Sequence, residues 1–169
     1  MSSKFDRFGF LQYDAKKNTG MYPPDPGDTI FDDAFRHCPG WTNLLLSFCE
    51  KVTALFEFYH KDANTDLVII QAKEKFGGIR IYCADTPNRQ LNRKLDTLCT
   101  NLLEASEKVC SQCGAPASVH STGWVLPYCI HCATEDMKAR NARHKTNFNF
   151  GELFRPIKKL SRHKKIFML

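Results

Sequence analysis

The hydrophobic pattern changes period along the chain, and each change marks an element. Leu45, Phe48, Cys49, Val52, Leu55, Phe56 and Tyr59 recur at helical spacing and predict an amphipathic helix over residues 41–60. After a polar break at residues 61–65 the period falls to two. Residues 67–75 and 79–84 then read as strands joined at Gly77-Gly78, a two-residue loop of the kind hairpins favour. Thr86-Pro87 reads as an N-cap followed by proline at the first helical position. From there Leu91, Leu95, Leu98, Leu102, Ala105 and Val109 mark a second apolar helical stripe that runs into Cys110. The first forty residues have no such period. Phe5, Phe8 and Phe10 are expected to pin this arm to the body, and the turn-rich run from Met21 through Pro23, Pro24 and Pro26 to Gly27 predicts little regular structure.

With the loop at the two glycines, Phe76 opposes Ile79, Lys75 opposes Arg80, Glu74 opposes Ile81, Lys73 opposes Tyr82 and Ala72 opposes Cys83. One face then carries Ile70, Ala72, Phe76, Ile79, Ile81 and Cys83 and is the expected core face. The other carries Gln71, Lys73, Lys75, Arg80 and Tyr82, a basic patch with a stackable ring that suits a phosphate backbone and equally an ordinary solvated surface. Glu74 falls on the apolar side, so it is expected to cap a helix or meet a cation. A bulge in the loop would move these faces.

Two Cys-x-x-Cys pairs, Cys110/Cys113 and Cys129/Cys132, are separated by fifteen residues. Two residues between sulfurs let one tight turn present both to the same ion, and the overall spacing is that of a four-thiolate zinc ribbon or knuckle. Gly114 stands where such a turn needs positive φ. Gly123-Trp124-Val125-Leu126-Pro127-Tyr128 supplies a short strand into the second pair. Two local disulfides or core cysteines are the alternatives, and iron is a second candidate for a four-thiolate site. Four thiolates leave no open position, so the expected Zn2+ is structural rather than catalytic. His120 and His131 lie in the same stretch, where a surface or supporting role is expected with four cysteines available. Cys38, Cys49, Cys83 and Cys99 sit among apolar neighbours and read as reduced thiols packed as small hydrophobes.

Charge adds an asymmetry. Residues 1–137 carry 14 Lys and Arg against 17 Asp and Glu, whereas residues 138–169 carry 10 against 1. A mildly acidic body with a basic end points to an anionic partner, of which nucleic acid is the commonest; a solvating tail is the plain alternative. Thr134 is expected to cap a short helix through Glu135, Asp136 and Met137 to about Arg143. Beyond it Phe148, Phe150 and Phe154 interleave with polar and basic residues, as in a nucleic-acid arm, or dock on the body or a second subunit. Candidate binding residues are therefore Lys73, Lys75, Arg80 and Tyr82 on the hairpin, and Lys138, Arg140, Arg143, Arg155, Lys158, Lys159, Arg162, Lys164 and Lys165 in the C-terminal part. No apolar signal segment opens the sequence and no apolar run is long enough to cross a bilayer, so a cytoplasmic protein is expected.

The expected architecture is α+β: a small β-hairpin or sheet packed on two amphipathic helices, with a zinc-ribbon module and a basic C-terminal extension. It divides into an arm (1–40), a helix–hairpin–helix body (41–109), the ribbon (110–133) and a short helix with a basic tail (134–169). Gly40-Trp41 with Leu44, Leu45 and Cys49, then Gln71-Ala72-Lys73-Glu74-Lys75-Phe76-Gly77-Gly78-Ile79-Arg80-Ile81-Tyr82, then Glu104-Ala105-Ser106 before Cys110, and Gly123-Trp124 before Cys129 give a distinctive order. Over residues 40–132 it resembles a family of small bacterial and phage or prophage proteins whose hallmark is a Lys-Glu-Lys-Phe-Gly-Gly hairpin followed by a cysteine knuckle. The basic extension departs from that family's usual end. The resemblance implies an accessory role in a bacterial cytoplasm and no settled activity.

No Walker loop, His-Glu-x-x-His, Gly-x-Ser-x-Gly or deaminase His-x-Glu with Pro-Cys-x-x-Cys occurs, so no recognised catalytic motif argues for an enzyme. Three functions fit: a nucleic-acid-binding accessory protein, an inhibitor or adaptor that binds a host or defence protein, and a sponge for a small phosphorylated ligand held by the Gly-rich hairpin.

Overall fold

The structure, a computed structural model, describes residues 3–18 and 21–157. Its centre is two helices and a hairpin. Helix α2 (Thr42–Phe58) buries Leu45, Phe48, Cys49, Val52 and Phe56, and α4 (Arg89–Ser106) buries Leu91, Leu95, Leu102 and Ser106. These stripes pack on each other, and the hairpin of β1 (Ile69–Lys75) and β2 (Gly78–Cys83) lies against α4. A short α3 (Ala63–Asp66), capped by Asp62, carries the chain from α2 to β1. The α4 cap is Asn88, whose side chain accepts from the N–H groups of Gln90 and Leu91. Thr86, the expected cap, instead donates to Asn92 Oδ1 at 2.7 Å and anchors the turn before the helix.

The arm does pin itself through its aromatics: Phe5, Phe8 and Phe10 are all buried. It also contains a helix where little regular structure was expected. Helix α1 (Ile30–Phe35) starts at a reciprocal capping box between Thr29 and Asp32, and buries Ile30, Phe31 and Phe35. Phe31 stands edge-on to Phe5 at 5.7 Å and to Phe35 at 5.6 Å, which joins arm, helix and core in one aromatic cluster.

The hairpin register differs from the expected one. The turn residues are Phe76 (φ 54) and Gly77 (φ 83), and Lys75 faces Gly78, Glu74 faces Ile79, Lys73 faces Arg80, Ala72 faces Ile81 and Gln71 faces Tyr82. Gly78 stands in the strand rather than in the loop, where a Cβ would lie 2.4 Å from Leu103 Cδ1 and 3.3 Å from Glu107 Cγ, so glycine lets β2 lie close on α4 without displacing these side chains. The loop moves back by one residue and both strands follow, so the two faces survive while every cross-strand partner changes. Phe76 leaves the expected core face and stands 71 % exposed at the turn. A bulge between Ile69 and Gln71 puts Ile69, not Ile70, in the core. Among the described residues Glu74 caps no helix and pairs with no cation: its Oε1 accepts the Gly77 N–H at 2.7 Å and holds the turn.

Ser106 locks this contact. It is fully buried; its Oγ accepts the Ile79 N–H at 2.9 Å and donates to Leu103 O at 2.7 Å. Ser106→Ala orphans a buried backbone donor and is expected to cost about 1–3 kcal/mol in urea unfolding. A loss below about 0.5 kcal/mol would show that this hydrogen bond does not hold the hairpin to α4.

The C-terminal part forms a second sheet, with β3 (Val119–Ser121) between β4 (Pro127–Tyr128) and β5 (Phe154–Pro156), all antiparallel. Helix α5 (Ile130–His144) and the single turn α6 (Phe150–Leu153) lie between β4 and β5. Phe154 is 2 % exposed and packs on Tyr128 at 5.4 Å and Phe150 at 5.1 Å. The first stretch of the expected arm is thus docked on the body, the second of the two readings its sequence allowed. Among the described residues no helix is long and apolar enough to cross a membrane.

Candidate metal centre and basic hairpin face

Cys110 follows the end of α4 and enters a tight turn in which the Gly114 N–H donates to Cys110 O at 2.9 Å, with Gly114 at φ 80 as the sequence required. Cys129 is the N-cap of α5, and its sulfur accepts the Cys132 N–H at 3.4 Å. The second pair lies on the first turn of a helix, and this helix starts at Ile130 rather than at the expected Thr134 cap. The expected strand into this pair shrinks to Pro127 and Tyr128; Trp124 stays in the loop.

The four sulfurs lie within 4.8 Å of one another, and Cys113 Sγ is 3.7 Å from Cys129 Sγ. A tetrahedral ion with metal–sulfur bonds of ~2.3 Å has sulfur–sulfur edges of ~3.8 Å, so these residues fit one metal ion and leave it no open position. Burial pushes the Cys129 thiol up, but the Cys132 N–H and the neighbouring thiols of Cys132, Cys113 and Cys110 outweigh this and bring it below its ordinary value, while Cys113 and Cys132 are held above theirs. Neither His120 nor His131 joins the cluster. His120 sits in β3 opposite Arg155, and burial holds its imidazole below the ordinary value against the pull of Glu107.

The knuckle is built into the body by a segment that carries no chemistry of its own. Gln112 Nε2 donates to His37 O at 3.1 Å, Gly40 N to Ser111 O at 2.8 Å, and the Trp41 indole to Val109 O at 3.1 Å. Trp41 is wholly buried. The remaining cysteines pack as expected. Cys38 and Cys49 are buried, and desolvation raises the Cys38 thiol to about 12. Cys83 and Cys99 are partly buried against the core.

The structure divides the expected binding residues. On the outward hairpin face Lys73 and Arg80 are direct cross-strand partners, Gln71 faces Tyr82, and Lys73 Nζ lies over the Tyr82 ring at 5.2 Å. Lys75 Nζ lies over the Phe76 ring at 5.4 Å. Among the described residues no carboxylate forms an ion pair with Lys73, Lys75 or Arg80. The cations of α5 are different: Lys138 is tied to Glu135 at 2.9 Å and Arg140 to Asp136 at 2.7 Å, while Arg143 forms no ion pair among the described residues. Arg155 stands on β5. Lys158, Lys159, Arg162, Lys164 and Lys165 lie outside the described residues. Two exposed rings are missing from the expected binding residues, because the expected register puts Phe76 on the core face and Trp124 falls in the expected strand into the second cysteine pair.

The hairpin offers no phosphate cradle at its glycines, since the Gly77 N–H is taken by Glu74 and Gly78 is packed on Leu103. No protein-family model, curated protein or solved structure matches this chain.

Proposed function

We infer that the chain is a small zinc-stabilised accessory protein that binds nucleic acid, with Zn2+ held by Cys110, Cys113, Cys129 and Cys132 in a purely structural role. The observation that carries the binding is the pairing of Lys73 with Arg80 directly across the hairpin, with no carboxylate paired to either among the described residues. Like charges directly opposite destabilise a hairpin, and a polyanion across the face removes that penalty. The strongly basic sequence of residues 158–169 adds charge to the same task. The resemblance to small phage proteins supplies a setting in which such accessory binders are common.

Titration of zinc-loaded full-length protein against labelled oligonucleotides at several salt concentrations tests this. Binding is expected to weaken steeply with salt. Changing Lys158, Lys159, Arg162, Lys164 and Lys165 to Gln should flatten the slope, by up to about 0.7–0.9 for each phosphate the protein no longer neutralises. Absence of binding at low salt refutes the reading. Saturable binding to an acidic protein, with no affinity for oligonucleotides, would place the same surface at a protein interface.

A further inference from the structure

The β3–β4 loop is held from within. Ser121 Oγ accepts the Leu126 N–H at 2.9 Å and donates to Trp124 O at 2.6 Å, and the Thr122 N–H donates to Leu153 O at 2.8 Å. On this fixed backbone Trp124 is 73 % exposed. The loop meets the hairpin turn: a Cβ built on Gly77 would lie 3.5 Å from Val125 O and Pro127 Cδ. Phe76 precedes Gly77 and Trp124 precedes Val125, so two largely exposed rings flank one contact between the hairpin and the metal module. From there the outward face continues through Lys75, then Lys73 with Arg80, to Tyr82, which is 46 % exposed.

Resting on the nucleic-acid reading, we propose that this strip, Trp124, Phe76, Lys75, Lys73, Arg80 and Tyr82, binds single-stranded nucleic acid by stacking unpaired bases on its rings and meeting the intervening phosphates with its cations. Duplex partners present no free base faces to these rings. A single strand presents both components, base faces and phosphates, along one narrow track. The exposed rings of Trp124, Phe76 and Tyr82 match the base faces, and cations with no carboxylate ion pair among the described residues match the phosphates. Two of the cations already lie over rings, Lys73 over Tyr82 and Lys75 over Phe76, so charge and stacking surface come as units.

Trp124 makes the test direct, because the other indole, Trp41, is wholly buried. Zinc-loaded full-length protein is titrated with an oligothymidylate, the matching duplex and poly-glutamate while indole emission and affinity are followed. The single strand is expected to bind tightest and to quench Trp124. Trp124→Ala should abolish the quench and weaken single-strand binding on the order of five- to a hundred-fold. Phe76→Asn, which suits a left-handed turn position, should weaken it in the same range with duplex affinity changed less than about twofold. Trp124→Phe should restore most of the affinity. Replacing Lys73, Lys75 and Arg80 with Gln should flatten the single-strand salt slope by about 2. Equal affinity for single strand and duplex without a quench overturns the stacking proposal and leaves the nucleic-acid reading standing. An equal response to poly-glutamate assigns the strip to an acidic polypeptide and overturns it. No binding to either nucleic acid overturns both.

Discussion

Cys113→Ser is expected to lower the melting temperature by about 8–16 °C and to leave the purified protein without stoichiometric metal. Cys113 is the cleanest of the four positions because it is exposed and packs against little, so its replacement removes a ligand and almost no buried surface. Structural four-ligand zinc sites contribute an apparent ~10–16 kcal/mol to the modules they hold. If a third of that reaches global stability here, ~4 kcal/mol, the shift follows at ~2–4 °C per kcal/mol for a chain of this size. A strong chelator acting on the wild type should produce the same shift. The effect should reach Trp41, whose indole donates to Val109 O beside the first ligand, so its buried emission shifts red as the knuckle loosens. The metal's share of stability should also fall with acid, since protons compete with the ion for thiolates. Elemental analysis distinguishes zinc from iron. Wild-type protein that carries no metal and melts like Cys113→Ser would reduce the four thiols to mere neighbours.

The parts of this fold that the sequence made legible are those governed by a single local rule. Two apolar stripes at helical spacing mark α2 and α4, and two Cys-x-x-Cys pairs mark a four-thiol cluster, because periodicity and ligand spacing are visible without tertiary knowledge. The misreadings come from residues whose reason lies elsewhere in space. Gly77-Gly78 is a favourable turn by local rules, yet Gly78 stands in β2 against Leu103 and Phe76 takes the positive-φ turn position instead. Thr29 and Asp32 form a capping box that the neighbouring prolines obscured. The onset of α5 at Ile130 was not legible because Cys129 belongs at once to the four-thiol cluster and to the helix as its N-cap, a double use that spacing does not reveal. Phe154 reads as part of a basic arm until it is seen pairing through β5 with β3. The Glu74, Gly77, Gly78 and Ser106 positions of the hairpin string and of the stretch before the knuckle are all explained by the turn and its seat on α4. These positions of the distinctive string are scaffold rather than surface.

That division between scaffold and surface gives Gly40 an importance that no motif assigns it. A Cβ at Gly40 would lie 2.2 Å from Cys110 O, 2.5 Å from Gly114 N and 2.7 Å from Cys113 N. All three are backbone atoms of the turn that carries the first ligand pair, so no side chain can rotate away to make room. Gly40→Ala must therefore separate residues 37–41 from the knuckle, which strains the Gly40 N to Ser111 O and Trp41 Nε1 to Val109 O hydrogen bonds. Overpacking of this kind costs about 1–3 kcal/mol in cores, with rigid backbone neighbours at the upper end or above it. About 3 kcal/mol or more is expected in denaturant unfolding of metal-loaded protein. The same change should hasten metal loss to a chelator, because the turn holding Cys110 and Cys113 loses its backing. Gly114→Ala makes the comparison: it strains the turn at φ 80 and approaches the Gly40 backbone no nearer than 3.1 Å, at its O, so a cost of about 1–2 kcal/mol is expected. If Gly40→Ala keeps wild-type stability and metal release, the knuckle is a separable appendage. If both fall together, the metal centre is a structural part of the body.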